Sequence, residues 1–181
     1  MRLRSFTIVE MVTVIVLIGI LAVMAFPRVD IFHILKFQAA GKKILSDIRY
    51  AQSAADLNHL YTGIQFSPGS NVYWAYFCNS ADNNNCVPVA TPRWPPMRDP
   101  LSGANMGVNY INDSQYKGIA IVSANFGSGN MLVFNTDGVP VDWSSGNALT
   151  ANGTIVLRYS GETINVNVAA KSGKVYVSKS F

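Results

Sequence analysis

Charge is scarce in this sequence: Asp, Glu, Lys and Arg together make up 13% of 181 residues, and histidine and cysteine each occur only twice. Acidic residues are scattered, so no two carboxylates read as an acid/base couple, and His33 and His59 stand too far apart to act together. Both histidines are expected on a helix surface. There is no GxSxG elbow, no P-loop around Gly41-Lys42-Lys43 and no GxGxxG at Gly127-Ser128-Gly129. An enzyme is therefore not expected, nor a cofactor or metal site. The formal charge of +4, with twelve Lys and Arg against nine Asp and Glu from Pro27 onward, permits an anionic partner without requiring one.

With two cysteines the options are few. Cys78 and Cys86 flank a polar run, Asn79-Ser80-Ala81-Asp82-Asn83-Asn84-Asn85, and a local disulfide closing that loop in an oxidising compartment is the plain reading. Two free thiols, or a partial metal site with Asp82, are the alternatives. Zinc would need further ligands, which no CxxC pair or nearby histidine supplies.

What is abundant is apolar residue, 49% of the chain, unevenly spread. From Phe6 to Phe26 the run is almost unbroken. About 20 residues at ~1.5 Å each reach roughly 30 Å, the hydrocarbon thickness of a bilayer. Arg2 and Arg4 precede the run and place the N-terminus on the cytoplasmic side, with everything after Pro27 exported. The run is too long for a cleaved signal peptide and lacks its small-x-small exit. A plain single-pass anchor leaves Glu10 unexplained. A carboxylate inside a spanning segment costs about 2.5–3.5 kcal/mol at mid-membrane, less near an end, and marks a functional candidate.

The basic leader, the small residue Ser5, and then Phe6-Thr7-Ile8-Val9-Glu10-Met11-Val12 ahead of an apolar helix resemble the prepilin signature of type IV pilins and type II secretion pseudopilins. The resemblance implies cleavage by a prepilin peptidase between Ser5 and Phe6, N-methylation of Phe6, and an assembly role for Glu10. Where the family usually has Gly before the cut, this chain has Ser5. Pro27 matches a common family position for a helix kink. A partner for the Glu10 carboxylate would be the freed Phe6 amine of a neighbouring subunit.

Beyond Pro27, Phe37, Gly41, Ile44, Ile48, Ala51 and Ala55 recur at steps of three and four, a helical face suited to packing under a sheet. Asn58 and Gly63 offer stop signals. One helix over residues 6–58 is expected, transmembrane over 6–26 and amphipathic after it, following a leader of residues 1–5. From about residue 62 the period becomes two. Strands are expected at 63–67, 72–78, 118–124 and 130–135, then a meander from 155 with a hairpin turn at Ser160-Gly161. The fold class is α+β: a long N-terminal helix packed against an antiparallel β-rich head, residues 59–181.

Residues 87–117, rich in proline, read as a solvated connector or a contact surface. Arg93, Trp94 and Arg98 are the candidates there for contact with a protein partner or with DNA. The segment Ile48-Arg49-Tyr50-Ala51-Gln52-Ser53-Ala54-Ala55, with Val133-Phe134-Asn135-Thr136-Asp137-Gly138 and Gly173-Lys174-Val175, is similar to H-type pseudopilins and FimT/FimU-like minor pilins. That likeness implies a minor subunit at or near a filament tip that helps start assembly, with other pilin or pseudopilin subunits, the peptidase and the inner membrane as partners. Some FimT-like members act in DNA uptake, so a DNA-binding minor pilin is the alternative. An unprocessed single-pass protein with a receptor-like β domain is a second.

Overall fold

The structure, a computed structural model, describes residues 7–25, 29–78, 86 and 94–180, with the backbone alone at 24, 25, 29–32, 179 and 180. Two compact units are present, Met1–Leu35 and Lys36–Phe181. The expected single helix is described as two stretches, α1 (Ile8–Ala25) and α2 (Val29–Asn58). Pro27 and its expected kink lie outside the described residues. Among the described residues no helix is long and apolar enough to cross a membrane. The apolar run of 6–26 extends beyond them at both ends.

α2 stops where the sequence signals it. His59 takes a left-handed conformation (φ 51°), and the N–H of Leu60 donates back to the carbonyl of Ala55 at 3.2 Å, a Schellman closure with histidine in the place usually held by glycine. The side-chain amide of Asn58 donates to the carbonyl of Ala54 at 2.8 Å.

Among the described residues nine strands follow: β1 (Thr62–Ser67), β2 (Val72–Phe77), β3 (Gly107–Asn109), β4 (Ala120–Asn125), β5 (Met131–Phe134), β6 (Pro140–Val141), β7 (Gly153–Tyr159), β8 (Glu162–Val168) and β9 (Val175–Ser180). They form two antiparallel sheets, ordered β3-β2-β1-β5-β6 and β4-β7-β8-β9. The two-residue turn between β7 and β8 has Ser160 at φ 50° and Gly161 at φ 88°, the left-handed pair that matches strand twist. β3 and β6 are too short to show a period and were not expected.

The helical stripe is the centre of the core. Phe37, Ala40, Ile44, Ile48, Ala51 and Ala55 are all but fully buried, against Ile64, Phe66, Leu132 and Phe134 of the first sheet and Ile155, Leu157, Ile164 and Val166 of the second. Alternation along β5 divides its side chains: Leu132 and Phe134 enter this core, while Met131 and Val133 point to the outer face and join Val141 in a small second cluster.

The described part of the proline-rich segment is not a solvated connector. Met97, Met106, Val108, Tyr110 and Tyr116 are buried in the main core, and backbone bonds run from Met97 to Ala75 and from Ala75 to Met106, each donated by an N–H. Prolines hid the pattern, because the segment fills the core with isolated side chains rather than along one periodic face.

Candidate assembly and contact sites

The first described residues open a helix. Thr7 precedes α1, and the N–H of Glu10 donates both to the Thr7 carbonyl (3.1 Å) and to Thr7 Oγ1 (3.3 Å). Thr7 is thus the N-cap and Glu10 the third helical residue, the Thr-x-x-Glu order of a capping box. The helix dipole favours a carboxylate in that first turn. Thr7 escaped the sequence reading as a site residue, although the Thr-x-x-Glu spacing was its signal. Glu10 is exposed, as is every described side chain from Thr7 to Val23. Ser5 and Phe6 lie outside the described residues.

In the head, the disulfide between Cys78 and Cys86 is formed, with Cα atoms 5.9 Å apart and both cysteines buried. No group of three His, Cys, Asp or Glu able to hold a metal ion occurs among the described residues. Of the candidate contact residues, the two described ones, Trp94 and Arg98, do not come together. Trp94 packs on the outer-face cluster with Tyr61 and Trp143, against Met131, Val133 and Val141. Arg98 instead lines a cleft of about 320 Å³ on the helix side, with Tyr50, Ala54, Leu60, Phe77 and Met97. Its guanidinium donates to the carbonyl of Gly103 at 3.3 Å. Arg93 lies outside the described residues. Four positions of sequence therefore carry the chain from one face of the first sheet to the other, because the bridge between Tyr76 and Pro96 lays the segment along the β2 edge.

Two carboxylates organise the head. Asp47, buried on α2, accepts from Tyr73 Oη and from Lys43 Nζ, each at 2.7 Å, and Lys43 also reaches Asp99 at 3.4 Å. Burial pulls the Lys43 ammonium down, but Asp47 and Asp99 outweigh it and hold its pKa above the usual value. Burial, first of all, pushes the Tyr73 phenol well up. Asp142 accepts from Ser128 and Ser144, backbone and hydroxyl alike, at 2.6–2.8 Å. Burial would raise its carboxyl, yet the hydroxyls of Ser144 and Ser128 and then their N–H groups hold it well below the ordinary range.

The chain matches no protein-family model and no curated protein sequence. Among solved structures it is similar to the minor pseudopilin EpsH of the Type 2 Secretion System of Vibrio cholerae, with a TM-score of 0.54 at 9% identity, over 78% of this chain and 95% of that one. The chain has the fold of a minor pseudopilin. A weaker likeness is to the type IV minor pilin FimU of Pseudomonas aeruginosa PAO1, with a TM-score of 0.48 at 12% identity, over 78% and 87% of the two chains.

Within this pseudopilin-type head, the three short motifs noted in the sequence meet at one residue. Gln52, on the α2 motif, donates through Nε2 to the carbonyl of Gly138 at 2.9 Å and to that of Ser172 at 3.0 Å, beside Gly173. Arg49, from the same motif, donates to the carbonyl of Val175 at 3.4 Å. The motifs form a joint between helix and sheets rather than a binding pocket.

Proposed function

We propose that this chain is a minor pilin-type subunit that enters a type IV pilus or a type II secretion pseudopilus through its N-terminal helix. A prepilin peptidase cuts between Ser5 and Phe6, Phe6 is N-methylated, and the apolar run of 6–26 holds the subunit in the inner membrane with its head outside until assembly. The observation that carries this reading is the start of α1 at Thr7–Ile8. Glu10 is set in the first turn of that helix, behind the N-cap Thr7, and its other first-turn neighbours are apolar.

In a filament, an exposed carboxylate moved into an apolar bundle needs a cation, since an unpaired buried charge costs several kcal/mol. The amine freed at Phe6 of a neighbouring subunit is that cation. Pairing Glu10 with the next subunit's terminus fixes the axial step between helices, while apolar packing supplies the area. The pseudopilin-type head supports a minor subunit at or near the tip, where it helps initiate assembly.

Mass spectrometry of the protein purified from membranes tests the processing step. The expected chain starts at N-methylated Phe6. A chain that keeps Met1 would sink the proposal in favour of an unprocessed single-pass protein. Subunit counting in sheared filaments tests the tip position, with a low copy number expected against that of the main subunit.

A further inference from the structure

β9 is the outer strand of the second sheet, and it is the one long edge left open among the described residues of the head. Edge strands expose unpaired N–H and C=O groups, and folded proteins usually blunt them. The other edges here are blunted. β4 carries a register shift between Ile121 and Ser123, and the N–H of Ile121 donates to Asn71 Oδ1 at 3.0 Å. β6 is two residues long and is bridged to Ala148; β3 has three residues. β9 has six, in unbroken register with β8 from Thr163↔Ser180 to Val168↔Val175.

The polarity of that edge can be worked out. The carbonyl of Lys174 accepts from Ala169 across the turn, so Lys174 faces β8. Antiparallel alternation then turns the backbone groups of Val175, Val177 and Lys179 outward. Arg49 already caps the first, donating to the carbonyl of Val175. Among the described residues the edge is open from Val177 on.

Its side chains point the same way. Val177 pairs with Val166, which is fully buried beneath α2, yet Val177 itself is 42% exposed, and Tyr176 on the opposite face is equally so. The core face of the sheet thus ends within β9, buried at Val175 and uncovered at Val177. Cations flank the opening: Arg49 on α2, and Lys171 and Lys174 in the turn before β9, all exposed. The acidic residue of this sheet, Glu162, opens β8 and lies one strand inward.

We propose that β9 takes an extended, acid-bearing segment of a partner protein as a fifth strand of this sheet. The segment's backbone bonds to the N–H and C=O of Val177, an apolar side chain covers Val177 on the helix side, and its carboxylates meet Arg49, Lys171 and Lys174. This holds whether or not the N-terminus is processed.

The test uses the full chain in detergent micelles and a labelled probe peptide, Glu-Val-Thr-Val-Thr-Glu, followed by fluorescence anisotropy. Two further probes are N-methylated on odd or on even residues. An added strand bonds through only one set, so one methylated probe should lose affinity at least tenfold while the other keeps it within about twofold of the parent. Hydrogen exchange at Val177 should slow when the parent peptide is added, and Arg49→Glu should weaken binding at least fivefold. Equal behaviour of the two methylated probes, or no binding of the parent, overturns the proposal. So does stronger binding at the same face by a single-stranded oligothymidine, which would assign the cations to nucleic acid.

Discussion

Gln52 donates to the carbonyl of Gly138 at 2.9 Å, and that bond ties the helix to the turn after β5 in one sheet while a second bond from the same amide reaches Ser172 in the other. Gly138 and Gly173 are both left-handed, at φ 67° and 65°. A Cβ on Gly138 would stand 3.4 Å from the carbonyl oxygen of Gln52, and one on Gly173 would crowd the Gln52 amide. Glycine is required at Gly138 for conformation, and at Gly173 for conformation and for space at once.

Gln52→Ala should therefore cost about 1–3 kcal/mol, the penalty for two carbonyls losing a donor at a partly buried joint. Gly173→Ala should cost more, through backbone strain of about 1–3 kcal/mol and the clash with Gln52 together. In the Gln52→Ala background the clash with Gln52 disappears, leaving the strain and a close contact with Phe134. A double-mutant cycle by urea denaturation should then show Gly173→Ala milder than in the parent; strict additivity would show that the two residues are not coupled.

Asp142 sets a pH dependence. Its folded pKa is depressed, so its contribution is complete above the unfolded value of about 4 and is lost as pH falls toward the folded value. Asp142→Asn should destabilise the head by about 1–3 kcal/mol at pH 7, with a gap from the parent that narrows below about pH 4. Thermal melts across that range check it, and a gap constant with pH would mean that the carboxylate's charge is not what holds the loop.

Reduction of Cys78–Cys86 opens a loop with a sequence separation of eight residues. Loop-closure entropy for so short a ring amounts to about 2–3 kcal/mol. The double change Cys78→Ser with Cys86→Ser should lower stability by that amount and make the melt insensitive to dithiothreitol. A parent protein whose melt is already unmoved by dithiothreitol would contradict this.

Glu10→Ala should leave membrane insertion intact and reduce incorporation into filaments at least tenfold, measured by immunoblot of sheared filaments against membranes. Thr7→Ala removes the cap hydroxyl but leaves the carboxylate, and should cost the helix about 1 kcal/mol with a much smaller assembly defect. Normal incorporation of Glu10→Ala would remove the assembly role.

Much of the site at the N-terminus is legible locally. Thr7 and Glu10 are joined through their spacing along one helix, and spacing is what a sequence displays. The end of α2 at Asn58, the stripe from Phe37 to Ala55 and the hairpin at Ser160-Gly161 are legible for the same reason: each depends on residues within a turn or two of one another. The relative placement of Trp94 and Arg98 was not. Trp94 and Arg98 looked adjacent along the chain, but lie on opposite faces of a sheet edge.

The end of α2, its buried stripe and the strand period were set by near neighbours along the chain, and the closeness of Cys78 and Cys86 favoured their pairing. Only the tertiary structure decided that Met97, Met106 and Tyr110 enter the core, that Gln52 joins two sheets, and that β9 is left as an open edge. Those outcomes depend on which distant surfaces meet. Bonds such as Gln52 to Gly138 and Arg49 to Val175 join residues separated by 86 and 126 positions, and no local period encodes such a meeting.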